Sequence, residues 1–251
     1  MRFRFKAFAW HLCGSAAALT LTLGVLYLGW YHWPGWYLAN MPKVLAIMVG
    51  VDVVLGPLLT SVIADPAKTG RVLARDIGAI VLMQLVAFTY GVTVLWNGRP
   101  LYYAFSVNCL SIVQAQDLEH DSLAAARTQN PALAPHWYSL PRWIWAPLPS
   151  DAAESSKIVE SALQGGYDVT ARPSYYRPWA SGVAELRAQL QRVDDIKFFS
   201  RDEKKRLKER MATAGLAPDR ADAIALTGRA RPLLAVFDPS NMRLLAYIEP
   251  N

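Results

Sequence analysis

The chain has 251 residues, 53% of them hydrophobic, and carries 26 Lys and Arg against 20 Asp and Glu, a formal net charge of +6. Residues 1–96 hold seven Lys or Arg and three Asp or Glu, whereas residues 97–251 hold nineteen and seventeen. The cationic excess therefore belongs to the apolar N-terminal third rather than to a polyanion-binding surface, and nucleic acid is set aside as a partner.

Residues 7–30, "AFAWHLCGSAAALTLTLGVLYLGW", and 77–96, "IGAIVLMQLVAFTYGVTVLW", contain no Asp, Glu, Lys or Arg. Each is about the 20 residues that cross about 30 Å of hydrocarbon at ~1.5 Å per residue. A third run, residues 44–65, "VLAIMVGVDVVLGPLLTSVIAD", has the same character but encloses Asp52. The start "MRFRFK" would suit a cleavable signal. The apolar stretch behind it is about twice the usual signal length and no A-x-A site closes it, so the first run is read as a retained helix. Residues 1–96 thus form a three-helix transmembrane anchor.

Cations set its orientation. Arg2, Arg4 and Lys6 precede span one, and Lys68, Arg71 and Arg75 lie between spans two and three, whereas only Lys43 lies between spans one and two. Cytoplasmic loops retain cations, which places the N-terminus in the cytoplasm and everything after Trp96 outside it. Trp30, Tyr31, Trp33, Trp36, Tyr37 and Trp96 then fall at the outer ends of the spans, the depth amphipathic rings prefer.

A carboxylate inside a span is costly unless it faces protein or water. Counted from residue 44, Asp52 lies about 12 Å below the outer end, where Thr20, Thr22, Thr89 and Tyr90 are its expected hydrogen-bond partners. Asp52, Gly56 and Thr60 follow an i+4 row, a small and polar seam that lets helices approach closely. Pro57 lacks an N–H and should free the Val53 carbonyl and kink the helix. Such a seam either fastens the bundle or holds a partner.

Catalysis is not expected. "VGVD" (49–52) lacks the glycines of the Gly-x-Gly-Asp motif of membrane aspartate proteases, and Asp65 and Asp76 sit at span ends far from Asp52, so no acid pair exists. His11, His32, His120 and His136 have no metal-binding spacing, there is no phosphate loop, and no cofactor or metal is expected. A membrane enzyme is the alternative.

Residues 97–251 should form an extracytoplasmic α+β domain large enough for its own core. Cys13 and Cys109 are expected on opposite sides of the membrane, so the domain stands without an internal disulfide. Runs 101–106 and 110–116 around "SVNC" predict one β-hairpin, and 231–251 around "DPSN" predicts another; the two terminal hairpins could pair into one antiparallel sheet. Between them Asp117 should cap a helix to Gln129, Asp151 with Glu154 a helix ending at Gly165 and Gly166, and Ser200 with Glu203 one ending near Gly215. Val183, Leu186, Leu190 and Val193 share one face of a further helix. Residues 130–150, with five prolines and three tryptophans, read as an extended connector. In "SRDEKKRLKERM" (200–211), Asp202 and Arg206 form an i,i+4 pair on a solvated face. Lys204, Lys205, Arg206, Lys208 and Arg210 could instead make a basic patch for anionic headgroups or an acidic partner.

The order "FKAFAWHLCGSAAALTLTLGVLYLGWYHWPGWY", "VGVDVVLGPLLTSVIADPAK", "RDIGAIVLMQLVAFTYGV" and "GRPLYYAFSVNCLSIVQAQDLE" resembles type IV pilin accessory proteins of the TfpX/TfpZ type, well over residues 5–119 and loosely beyond. The chain departs from that pattern at Val107, Asn108, Cys109 and Leu110, where the family tends to read Val-Asp-Arg-Phe. The resemblance implies a multi-pass protein of the bacterial inner membrane that assists assembly or stability of a type IV pilin, and it would direct the alternative enzyme to envelope or pilin substrates. On that basis Asp52, Gly56, Pro57, Thr60, Thr89 and Tyr90 are the expected partner-binding or bundle seam.

Overall fold

The computed structural model describes residues 2–65, 67–217 and 222–250. The chain forms two compact units, Met1–His32 with Asn40–Gly98, and Trp33–Ala39 with Arg99–Asn251.

The first unit has three helices long and apolar enough to cross a membrane: α1, Arg2–Tyr31; α2, Met41–Ile63; and α3, Gly70–Asn97. Their outward faces carry large apolar side chains such as Leu21, Leu28, Ile47, Val62, Leu82 and Val86, as helices in lipid require. One end of the bundle is tied by ion pairs from Arg4 to Asp65 at 3.6 Å and Lys68 to Asp76 at 2.8 Å. At the other end Trp30 meets Trp96 edge to face at 5.1 Å, and the Tyr31 hydroxyl donates to the Leu95 carbonyl at 2.7 Å. α1 and α3 both pack on α2 and, apart from the Trp30 and Tyr31 contacts at this end, touch each other little.

The irregularity expected at Pro57 takes the form of a π-helical segment, Val49–Leu55, directly before Gly56. The Gly56 N–H donates to the Val51 carbonyl, five residues back. Widening the turn makes room for a ring that cannot donate. The same segment rotates Asp52 relative to Gly56, so the simple i+4 row does not persist through it.

The second unit is built on a mixed seven-stranded sheet, ordered β4-β3-β1-β2-β5-β6-β7. The strands are β1 Pro100–Ser106, β2 Cys109–Gln114, β3 Arg142–Trp145, β4 Arg177–Pro178, β5 Asp222–Thr227, β6 Leu233–Phe237 and β7 Leu244–Ile248. Both expected hairpins form, β1 with β2 and β6 with β7. The expectation that they pair directly into an antiparallel sheet is corrected: β5 lies between them, parallel to β2 through Leu110 with Leu226 and Ser111 with Thr227, and β3 runs parallel to β1. β3 falls in residues 142–146, a proline-free stretch of the connector where backbone donors are available to a ladder.

The central strands are buried on both faces, which is why they read as continuous apolar runs. Tyr103, Phe105, Ile224, Leu226, Leu233 and Phe237 share one cluster with Leu186 and with Leu38. On the other face Ala223, Ala225, Leu234 and Val236 pack with Leu207 and Met211, while Tyr102 and Ala104 pack with Ile144 and Tyr176. Burial pushes the Tyr103 phenol up to about 12.

Four helices complete the unit: α4 His120–Gln129, α5 Ala152–Leu163, α6 Val183–Gln189 and α7 Arg201–Thr213. Asp151 caps α5 by accepting from the Glu154 N–H at 2.7 Å, and Ser200 with Glu203 forms the full capping box of α7. Asp117 does not cap α4; it closes a box with Gln114 on a short 3-10 turn, Ala115–Asp117, and α4 begins after Glu119. α6 stops at Gln189, so Leu190 and Val193 contribute to the core from beyond its end.

One segment groups unexpectedly. Trp33–Ala39, between α1 and α2 in sequence, belongs to the α/β unit. Its single helical turn, Gly35–Leu38, buries Leu38 completely, and the Leu38 carbonyl accepts from the N–H groups of Arg229 at 2.7 Å and Ala230 at 3.2 Å.

Candidate functional site

Asp52 lies midway along α2, since the helix begins at Met41 rather than at residue 44. Gln84, midway along α3, faces it. The Gln84 Nε2 donates to the Asp52 backbone carbonyl at 3.1 Å, and its side chain covers Gly56 so closely that a Cβ there would lie 1.8 Å from Nε2. Gly56 is thus what permits the α2–α3 crossing. A second glycine, Gly91, serves the same end under the Met48 side chain.

Toward the end bearing Arg4 and Asp65, His11 Nδ1 and Thr60 Oγ1 are 2.6 Å apart, which joins α1 to α2. Asp52, Thr60 and Gln84 are all at least nine-tenths buried, at 4%, 2% and 7% exposure. They line a trough of about 460 Å³ walled by Trp10, His11, Gly14, Ser15 and Ala18 of α1 and by Ile77, Val81, Leu85 and Phe88 of α3. Two oxygens in it, Asp52 Oδ1 and Gln84 Oε1, are buried without a hydrogen-bond partner.

The expected seam is therefore redrawn. Asp52 and Thr60 share the trough, Pro57 is buried, and Gly56 lies beneath Gln84. Thr89 and Tyr90 point away from the bundle, Tyr90 at 72% exposure, and no hydrogen bond joins Asp52 to Thr20, Thr22, Thr89 or Tyr90 among the described residues. Depth had been counted from residue 44, which set Asp52 too near the span's end and matched it to the wrong level of α1 and α3. Gln84, which bonds the Asp52 carbonyl, and His11, which bonds Thr60, are the members of the site that residue spacing does not bring out. The signal for Gln84 was present: it is the one side-chain amide in residues 77–96, and a polar group in hydrocarbon needs a partner.

The trough holds an acid, an imidazole and hydroxyls, but they are not wired as a relay. His11 is paired with Thr60, and no hydrogen bond links it to Asp52 among the described residues, whereas an activated nucleophile needs base and orienting group in series. Among the described residues no three His, Cys, Asp or Glu side chains cluster as metal ligands.

In the α/β unit the 200–211 run is used largely within the domain. Lys204 Nζ donates to the Asp194 carbonyl, Lys208 pairs with the Asp194 carboxylate, Arg206 Nε donates to the Pro250 carbonyl and Arg210 pairs with Glu249. The Asp202 to Arg206 pair is absent among the described residues, because Arg206 reaches Pro250 instead. The Lys208 side chain holds the Asp194 carboxyl below its usual range. Lys205 stays exposed on this face.

The chain thus combines three helices long and apolar enough to cross a membrane, a polar trough among them and a mixed-sheet α/β unit. No family model matches the chain, and no solved structure matches it. The "Fimbrial assembly protein, serogroup I" of Dichelobacter nodosus is 27% identical over 180 residues, 70% of this chain and 67% of that protein. The serogroup E1 protein of the same organism is 28% identical over 179 residues, 70% of this chain and 66% of that one, so the match spans about two thirds of each. The protein of serogroups C1 and C2 is 29% identical over 116 residues, 46% of this chain and 88% of its own length. These relatives support a pilus-assembly family for the chain.

Proposed function

We propose that the protein is a bacterial inner-membrane accessory factor of the TfpX/TfpZ type that assists assembly or stability of a type IV pilin. It acts by binding, not by catalysis, and uses no cofactor. Its N-terminus is cytoplasmic and its α/β unit periplasmic, a reading supported by Arg2, Arg4, Lys6, Lys68, Arg71 and Arg75 against Lys43. The bundle engages the pilin's apolar helix and the α/β unit its exported head.

The observation that carries this reading is the likeness to three fimbrial assembly proteins, two of them matched over 70% of this chain. The polar trough is consistent with it, because helices in lipid gain nothing from hydrophobicity alone and recognise one another by close packing and polar contacts. The test is isolation of the tagged full chain from its native envelope under mild detergent. A type IV pilin should co-purify in excess over other envelope proteins. Its absence, with turnover of a lipid-linked substrate by the purified chain, would replace the accessory role with the enzymatic one.

A further inference from the structure

The trough has a chemical demand that the chain itself does not meet. Asp52 Oδ1 and Gln84 Oε1 are both acceptors, both buried and both without a donor. The donors nearest at hand point elsewhere: Gln84 Nε2 gives a hydrogen to the Asp52 carbonyl, His11 and Thr60 share one hydrogen bond, and among the described residues no hydrogen bond from these groups or from Ser15 reaches either oxygen. An unsatisfied buried acceptor is costly, a charged one more so, and two in one place mark a site completed from outside.

The shape limits what can complete it. α1 and α3 each pack on α2 and leave the space between them open. The α1 wall is small at Gly14, Ser15 and Ala18, with Trp10 and His11 closing it toward the helix start, and the α3 wall is a single helical face, Ile77, Val81, Gln84, Leu85 and Phe88. A floor of one helix and walls of two more form the vacant position of a four-helix arrangement, and small residues on one wall let a backbone come close.

We propose that this trough receives an apolar helix of a partner that presents a hydrogen-bond donor, a hydroxyl, amide or ammonium group, to Asp52 Oδ1 and Gln84 Oε1 at mid-span. The inference rests on the pilin-binding reading and specifies its chemistry. It also makes a prediction opposite to that of a merely structural pair. If Asp52 and Gln84 only fastened the bundle, replacing them would weaken it. If they are held ready for a partner, the variant Asp52→Leu with Gln84→Met gives up the single Gln84 Nε2 bond to the Asp52 carbonyl but removes two unsatisfied acceptors, and on balance leaves the bundle as stable as before or more so.

The experiment uses the full chain in its native membrane with a photo-reactive phenylalanine at Ala18 or Val81, inside the trough, and at Leu21 or Leu82, outside it. Crosslinks at Ala18 and Val81 should join a partner helix whose crosslinked turn carries a donor side chain, with little product from Leu21 and Leu82. In the double variant the trough crosslink should fall about tenfold, the effect of losing one or two membrane hydrogen bonds, while resistance of the bundle to heat in detergent holds or rises. Three results would overturn the proposal: trough crosslinks to lipid alone, a partner turn with no donor, or a double variant that captures its partner as well as the parent does. If pilin co-purifies with the chain but the trough captures no helix, this inference fails and the accessory role stands. If a donor-bearing helix is captured in the trough and is not a pilin, the accessory role fails and the inference stands.

Discussion

Gly56 shows how one missing Cβ sets a crossing. The Gln84 amide occupies the space that a side chain at 56 would take, and from there it reaches the Asp52 carbonyl. Gly56→Ala would force Gln84 to swing away and break that bond, an overpacking defect of about 1–3 kcal/mol. Because the obstructing atoms are the end of a flexible side chain, Gln84→Ala should restore room, and Gly56→Ala with Gln84→Ala should be more stable than the sum of the single losses. Denaturation of the full chain in mixed micelles, followed for all four members of the cycle, checks this; strict additivity would mean that the two residues do not share the space. At this scale the sequence was informative about kind and less so about place. Asp52 and Thr60 announce a polar site by being polar in an apolar run, but which residue faces them depends on where each helix starts and on the π segment, Val49–Leu55, that turns Asp52 away from the i+4 row. Neither follows from counting residues.

At the scale of elements, the signals that worked were local. Asp151 with Glu154, Ser200 with Glu203 and the two hairpin turns each satisfy backbone groups within a few residues, and the chain reads them without help from tertiary structure. What failed was non-local. The parallel pairings of β1 with β3 and of β2 with β5 join residues tens of positions apart, and β3 owes its place to Trp143 stacking on Tyr103 at 5.1 Å as much as to its own sequence. The capping box of α7 gives a pH-dependent prediction. The Ser200 backbone N–H and hydroxyl both donate to the Glu203 carboxylate, and these bonds hold its pKa below the ordinary value. A carboxyl lowered on folding adds stability that is fully present above its unfolded pKa and is lost as pH falls through the folded one. Asp194, lowered by its bond to Lys208, has the same sign and ties the same helix. Acidification below the usual glutamate range should therefore loosen α7, read as faster hydrogen exchange of its amides. Ser200→Ala should cost about 1 kcal/mol at neutral pH and show a shallower acid loss. An equal acid loss in both proteins would place the pH dependence elsewhere.

For the whole molecule, the consequential feature is the segment between the first two long helices. Trp33, Trp36 and Tyr37 suit the headgroup level by composition, yet Trp33–Ala39 supplies part of the α/β core. The cue is absent from the sequence, since a single buried leucine in a seven-residue link has no periodicity. Leu38 is fully buried, Gly228 lies against it so closely that a Cβ there would be 2.7 Å from the Leu38 carbonyl, and that carbonyl serves two backbone donors of the segment before β6. Residues 97–251 alone would therefore lack a core side chain and leave the Arg229 and Ala230 N–H groups without their acceptor. Leu38→Ala in the full chain should destabilise the α/β unit by about 2–5 kcal/mol through the cavity it opens. Leu38→Met, which nearly conserves volume and keeps the carbonyl, should cost less than about 1.5 kcal/mol. Excised residues 97–251 should bind an apolar dye and be cut by protease under conditions that leave the same region of the full chain intact. Should the excised fragment instead unfold cooperatively and at the same denaturant concentration as in the full chain, the Leu38 turn would be a passenger on the sheet rather than part of its core. A pull-down with that fragment would then be a fair measure of how much pilin recognition resides in the exported unit.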